Sequence, residues 1–169
     1  MAKTVCIIAG ARPNFVKVSP LVRAINKNPE ANCLLVYAGS ENDPTLEPSL
    51  FEDLQMPRPQ YYLGVDSTSL NEITSQVMAR FDAFLDEHAV DVVIVVDDLA
   101  STMAAAIVTK KRGIRLAHLV AGTRSFNIHN CTFNRKSHKL KTKESLFIIL
   151  NSIIYDLLIK YNMIKPSTY

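Results

Sequence analysis

The chain has 169 residues, 48% of them apolar, which suits one soluble globular domain with a proper core and argues against two. The formal net charge of +3 is unevenly spread: residues 1–127 carry 12 Lys and Arg against 14 Asp and Glu, and residues 128–169 carry 7 against 2. The first part is therefore mildly acidic and the tail is basic.

The three cysteines, Cys6, Cys33 and Cys131, form no C-x-x-C pair. Their odd number and wide spacing predict buried reduced thiols in a cytoplasmic protein. The apolar run at residues 5–9 is short and ends at a turn, so it does not predict a secretion signal.

The first element is a strand, because residues 4–9 are apolar and rich in β-branched side chains. Gly10 allows a tight exit from it, and apolar residues then return at helical spacing over residues 16–25. Pro13 suits the first turn of a helix because it has no N–H to leave unpaired, and Asn14 is a candidate capping residue.

Two cations, Arg12 and Lys17, lie at the start of this predicted helix. Together with free backbone amides they would form a site for an anion, in particular a phosphate group. An ordinary βα turn with two surface charges explains the same residues equally well, since neither a full glycine fingerprint nor a P-loop is present.

The middle of the chain continues this alternation. Residues 33–38 predict a second buried strand that ends at Gly39, followed by a polar loop, a short helix near residues 50–54 and a short extended piece at 61–65. A longer helix from Ser69 has one apolar stripe that covers the sheet. The stripe comprises Leu70, Ile73, Val77, Phe81, Phe84 and Leu85.

Residues 91–98 give the strongest strand signal, apolar on both faces and therefore central in a parallel sheet. Ser101 or Thr102 is predicted to cap the next helix, which ends at Gly113. A further strand follows at residues 114–120.

Strands that alternate with helices at this spacing predict an α/β fold, a right-handed, doubly wound parallel sheet. In such sheets ligands bind at the carboxyl ends of the strands. Arg12, Gly39, Asp98 and Arg124 all follow predicted strands, so we expect them along one edge.

Two separated motifs carry a family resemblance. Residues 10–17 are G-A-R-P-N-F-V-K, with P-L-V at 20–22; residues 96–102 are V-D-D-L-A-S-T, and residues 113–127 are G-I-R-L-A-H-L-V-A-G-T-R-S-F-N. They resemble the G-x-R-P-x-x-x-K…P-L-V and G-D-T-x-S-T…G-I-P-V-A-H-V-E-A-G-L-R-S patterns of the non-hydrolysing UDP-N-acetylglucosamine 2-epimerases. The resemblance covers roughly residues 3–127. It implies a Rossmann-like domain, one half of a glycosyltransferase-B-like two-domain enzyme.

The resemblance implies that UDP-GlcNAc and UDP-ManNAc are interconverted: a base removes the proton at C2 while UDP departs from C1, and both return with C2 inverted. It makes Gly10, Arg12, Lys17 and Arg124 substrate-binding residues, with Arg12 and Lys17 near the diphosphate. It makes Asp98 and Lys17 catalytic, although Asp98 could equally cap the following helix. The implied ligand is a UDP-sugar, with no cofactor and no metal, and a homodimer is one option for the oligomeric state.

The chain also departs from the family pattern. Val120 stands at the glutamate of H-V-E-A-G, and Asp97 replaces the glycine before the aspartate. Gly39-Ser40-Glu41 departs from T-G-Q-H, and the later P-E-E-x-N-R segment is missing. His118, next to the gap at Val120, is expected to be structural rather than a base. With this incomplete acid/base set the chain is expected to be inactive, or nearly so, on its own.

From residue 128 the resemblance stops, and residues 128–169 predict a basic stretch followed by an amphipathic helix at 145–164. We expect the second domain to be absent, and one hypothesis is unrelated sequence appended by a frameshift or insertion. Asn151 and Asp156 argue against a membrane span, and a solvated loop is favoured over nucleic-acid contact for the basic run. There are two alternatives to an inactive epimerase homologue. One is a non-catalytic nucleotide-sugar binding or interaction module, and the other is a truncated product without function.

Overall fold

A computed structural model describes residues 2–121 of the chain. Strands and helices alternate through that range, as the apolar spacing predicts. In chain order they are β1 (Lys3–Ala9), α1 (Arg12–Asn26), β2 (Ala31–Tyr37), α2 (Pro48–Asp53), β3 (Tyr61–Tyr62), α3 (Leu70–Glu87), β4 (Val92–Val96), α4 (Ala100–Lys111) and β5 (Arg115–Leu119). Arg124, Cys131 and the helix predicted at residues 145–164 lie outside the described residues.

The five strands form one parallel sheet in the order β3-β2-β1-β4-β5. Strand β1 lies at its centre, paired with β2 on one side and with β4 on the other. Because the chain runs outward from β1 to β3 and then returns to place β4 beside β1, the strand order reverses between β1 and β4. Ligands of doubly wound sheets bind outside such a reversal. The predicted α/β doubly wound fold is confirmed.

Helices cover both faces of the sheet, as a buried parallel sheet requires. Alternate residues of β1 point to opposite faces, so Cys6 and Ile8 join one core and Ile7 and Ala9 join the other. The first core is filled from α3 and α4, by residues that include Val77, Phe81, Ala104 and Ala105. The second is filled from α1 and α2, by residues that include Phe15, Val18, Val22 and Phe51.

Some details differ from the sequence predictions. Leu70 is 50% exposed, so the buried stripe of α3 begins beyond its first turn. Helix α4 begins at Ala100 with Leu99 as its N-cap, so the predicted caps Ser101 and Thr102 lie inside the first turn. The hydroxyl of Thr102 donates to the carbonyl of Val96 at 2.6 Å, which ties the helix to the end of β4.

Cys6 and Cys33 are buried free thiols, as predicted. Burial raises the pKa of the Cys6 thiol and raises that of Cys33 to about 11. Both thiols therefore stay protonated at neutral pH. None of the helices within residues 2–121 combines the length and the apolar character needed to cross a bilayer.

Candidate functional site

The start of α1 and the end of β4 meet at the carboxyl edge of the sheet through one buried side chain, Asn14. Its Oδ1 accepts the backbone N–H of Gly10 at 2.8 Å and that of Ala11 at 3.1 Å. Its Nδ2 donates to Oδ2 of Asp97 at 2.6 Å. Only this orientation of the amide satisfies all three partners. The predicted capping role of Asn14 is thus confirmed, from the third position of the helix with Ala11 as the N-cap.

Lys17 lies about one turn further along α1 and completes the same cluster. Its Nζ is 2.6 Å from both carboxylate oxygens of Asp97. The side chain of Lys17 remains 38% exposed, whereas that of Asp97 is 15% exposed. A charge-assisted contact of this length is strong for a protein ion pair. Lys17 is therefore a neutralised cation with one face open to solvent.

The backbone of Asp97 is held as firmly as its side chain. Its φ of +59° lies in the left-handed region, which favours glycine and is tolerated by aspartate. Its N–H donates to the carbonyl of Leu119 at 3.1 Å, and its carbonyl lies 2.6 Å from Nε2 of His118. The buried His118 thus fixes the turn after β4, in agreement with the structural role expected for it.

The free amides predicted at the start of α1 are mostly engaged within the protein. The N–H groups of Gly10 and Ala11 bind Asn14, the N–H of Asn14 binds the carbonyl of Ala11 at 3.0 Å, and Pro13 has none. The predicted anion site stays a prediction, but the amides of Gly10 and Ala11 are taken by the Asn14 side chain. An anion at this edge must be held mainly by side chains.

Arg12 is the first residue of α1 and is exposed. Within residues 2–121 its guanidinium forms no hydrogen bond or ion pair, so it is available to a ligand. Asp98 follows Asp97 in the turn before α4 and is half-buried. The structure thus brings Gly10, Arg12, Lys17 and Asp98 to one edge, whereas Arg124 lies outside the described part of the chain.

Gly10 is required by a close approach. A Cβ at this position would overlap Oγ of Ser101 and lie 3.0 Å from Cδ1 of Leu99. Its φ is outside the left-handed region, so steric contact with α4, and not the predicted tight exit from the strand, is the main reason that this position requires glycine. The absence of a side chain lets the start of α4 pack directly onto the end of β1.

A cleft of about 580 Å³ lies beside Gly10, at the carboxyl ends of β1 and β2. Its volume is in the range of small-molecule sites. On its wall the hydroxyl of Tyr37 donates to Oδ2 of Asp43 at 2.6 Å. This hydrogen bond lowers the pKa of Asp43, whereas burial is the main cause that raises the pKa of Tyr37. The cleft therefore carries a fixed carboxylate and a neutral phenol.

Val120 follows β5 at the same edge with a φ of +60° and is 36% exposed. A β-branched residue is a genuine outlier in this region of φ. Its side chain cannot transfer a proton, so the edge lacks the carboxylate that the family pattern has there. Sequence reasoning found this gap but missed the part played by Asp97, for which the signals were the doubled aspartate after β4 and the replacement of the family glycine at this position.

Comparison with known proteins agrees with this architecture. The model of the UDP-N-acetylglucosamine 2-epimerase family matches residues 23–137, which extends past residue 127, where the motif resemblance ends. The UDP-N-acetylglucosamine 2-epimerase of Methanocaldococcus jannaschii is 32% identical over 121 residues, which are 72% of this chain and 33% of the relative. A UDP-2,3-diacetamido-2,3-dideoxy-D-glucuronate 2-epimerase of Pseudomonas aeruginosa is 31% identical over a match that covers 72% of this chain and 34% of the relative.

A solved structure extends the match to three dimensions. The M. jannaschii UDP-GlcNAc 2-epimerase in complex with UDP-GlcNAc and UDP superimposes with a TM-score of 0.67 at 31% identity, over 73% of this chain and 34% of that one. The fold is thus the Rossmann-like α/β sheet of a glycosyltransferase-B-like protein. The chain belongs to the UDP-N-acetylglucosamine 2-epimerase family, and the match spans about a third of the length of these relatives.

Proposed function

We propose that this chain is a UDP-GlcNAc 2-epimerase homologue that binds a UDP-sugar at the carboxyl edge of its sheet and does not epimerise it at a useful rate by itself. One observation carries the proposal: the first two turns of α1, which carry Arg12 and Lys17, converge on the end of β4, beside Asp98. Membership of the family suggests a UDP-sugar as the ligand of these residues, since the M. jannaschii relative is described in complex with UDP-GlcNAc and UDP.

The proposed roles follow from the chemistry of 2-epimerisation. The departing diphosphate gains negative charge, which Arg12 and Lys17 can stabilise. Abstraction at C2 needs a carboxylate base, for which Asp98 is the candidate. Return of the proton to the opposite face needs a second group, and Val120 cannot supply it. Arg124 would add a further cation to the substrate.

We propose the division that the motifs indicate: residues 1–127 form the Rossmann-like domain, and the basic segment at residues 128–169 is separate from it. Homodimerisation and a cytoplasmic location stay predictions. The alternative, a non-catalytic nucleotide-sugar binding or interaction module, is favoured by the valine at position 120.

The test combines ligand binding with product detection on the full chain. Titration with UDP in a calorimeter should show binding that weakens at least about tenfold in Arg12→Ala, the equivalent of one lost charge-assisted contact. Lys27→Ala removes a cation at the other end of α1 and should leave binding unchanged. NMR of UDP-GlcNAc incubated with the protein should show no manno epimer. Absence of UDP binding, or turnover at a rate ordinary for enzymes, would refute the proposal.

A further inference from the structure

We infer that Asp97 is an internal counter-ion that competes with the diphosphate of the ligand for Lys17 and so sets the affinity of this edge for UDP. The inference rests on the proposed function, because it assumes that the ligand at Arg12 and Lys17 is a diphosphate. It adds a residue that the mechanism of 2-epimerisation does not use.

The geometry of the cluster shows the competition. The two oxygens of Asp97 accept from Lys17 Nζ and Asn14 Nδ2, all at 2.6 Å. A pair of phosphate oxygens would use the same kinds of donor. Asp97 itself is mostly covered, but Lys17 keeps 38% of its side chain exposed. A ligand can therefore reach the ammonium group, yet it must share that group with a carboxylate already in contact.

The local charge balance leads to the same conclusion. Lys17 is a cation and Asp97 an anion, so the contacting pair sums to zero. Without the Asp97 charge the pair would keep the positive charge of Lys17. Lys17 and Asp97 are in direct contact, well within the Debye length of about 8 Å in physiological salt, so screening does not remove this effect. A diphosphate is therefore attracted less strongly than the two cations alone would suggest.

The backbone at Asp97 makes the inference testable. Because its φ is +59°, Asn and Gly fit the position without new strain, so Asp97→Asn and Asp97→Gly should fold. Asn keeps one oxygen that can accept from Asn14, removes the charge and replaces the other oxygen with an NH2 group. Gly removes the side chain altogether. Thermal unfolding should confirm that both variants remain cooperative before any ligand is added.

The experiment is a calorimetric titration of the full chain with UDP. Asp97→Asn and Asp97→Gly should each bind UDP about tenfold more tightly than the parent, the effect of releasing one charge-assisted partner. The gain should shrink in high salt and vanish in a Lys17→Ala background. The matched control is Asp91→Asn, which removes the same charge from a Lys–Asp pair at the other end of β4 and should leave the UDP affinity unchanged.

The outcomes separate this inference from the proposed function. If Asp97→Asn and Asp97→Gly bind UDP no better than the parent while Arg12→Ala still weakens binding, the counter-ion role is wrong and the proposed function stands. An equal gain with Lys17 replaced by Ala would also overturn the role, because Asp97 would then not act through Lys17. If neither the parent nor any variant binds UDP, both fail.

Discussion

Strand β4 has a Lys–Asp pair at each end, and the two pairs differ in how exposed their lysines are and in which other groups bind their aspartates. At the amino end Lys3 Nζ lies 3.0 Å from Asp91, and the lysine side chain is 66% exposed. At the carboxyl end Lys17 contacts both oxygens of Asp97, which is also bound by the buried Asn14. The first pair links β1 to the residue that precedes β4. The second belongs to a polar network that also fixes two turns, which is where a ligand site is expected.

The residues that adopt a left-handed φ also differ between these two regions. At the amino edge the left-handed position before β5 is occupied by Gly113, at φ +71° with open space around it. At the carboxyl ends of β4 and β5 the left-handed positions are occupied by Asp97 and Val120, which carry side chains, whereas Gly64 occupies the one that follows β3. Such strain persists where the surroundings hold it and tends to gather at functional sites. The carboxyl ends of β4 and β5 thus carry backbone strain that the glycine turn before β5 does not.

The largest expected effect comes from alanine at a glycine of each edge. Gly10→Ala should destabilise the protein by about 3 kcal/mol, because the new methyl group overlaps Ser101 and crowds Leu99. Gly113→Ala should cost about 1 to 2 kcal/mol, from its left-handed φ alone. Urea unfolding measures both.

Crowding and backbone strain can be told apart by a second substitution. Ser101→Ala removes the atom nearest to the new methyl group, so it should recover part of the loss caused by Gly10→Ala. It should recover none of the loss caused by Gly113→Ala. Equal costs at both glycines and no rescue would mean that the carboxyl edge is not the more tightly packed one.

A smaller gain is expected from relaxing the strained valine. Val120→Gly should raise the free energy of unfolding by about 1 kcal/mol, since a left-handed β-branched residue is replaced by one that adopts this φ freely. Val120→Ala keeps the Cβ and should gain much less. Thermal and urea unfolding of the three proteins give the comparison, and a loss of stability in Val120→Gly would show that the side chain contributes packing that outweighs the strain.

The two ion pairs can be compared by double-mutant cycles. The cycle of Lys17→Ala with Asp97→Asn should give a coupling of up to about 1 kcal/mol, discounted for the exposure of the lysine. The cycle of Lys3→Ala with Asp91→Asn should give a smaller coupling, because that pair is more exposed. The reverse order would remove the contrast between the edges.

The smallest effect is a pH dependence at the amino edge. The N–H of Thr4 and, after it, the ammonium of Lys3 lower the pKa of Asp91 in the folded protein. A lowered folded pKa contributes stability that is fully present above the unfolded value of about 3.9 and is lost as the pH falls through the folded value. The stability difference between the parent and Asp91→Asn should therefore be constant from about pH 7 to 5 and decline below about pH 4. A difference that grows on acidification would contradict this account.

Apolar spacing predicts most of the fold because burial decides it. The fully apolar β4 and the stripe of α3 follow directly from which residues must leave water. The helix caps could not be predicted as well. Helix α4 begins before Ser101 because the left-handed turn at Asp97 sets where the helix starts, and a single sequence does not show φ. The Lys17–Asp97 ion pair was not predicted for the same reason. Arg12, Gly39 and Asp98 lie after the carboxyl ends of parallel strands, as expected, but which carboxylate contacts Lys17 depends on that turn.

Whether UDP binds at the carboxyl edge of the sheet is tested most sharply by amide NMR of the ¹⁵N-labelled full chain, which maps the UDP-dependent shifts onto the two edges. A nucleotide site at the carboxyl edge predicts chemical-shift changes at Gly10, Arg12 and Asp97 with none at Thr4, Asp91 or Gly113, since the length of β4, roughly 17 Å, separates the two groups. Shifts centred on the amino edge, or no shifts at saturating UDP, would contradict it.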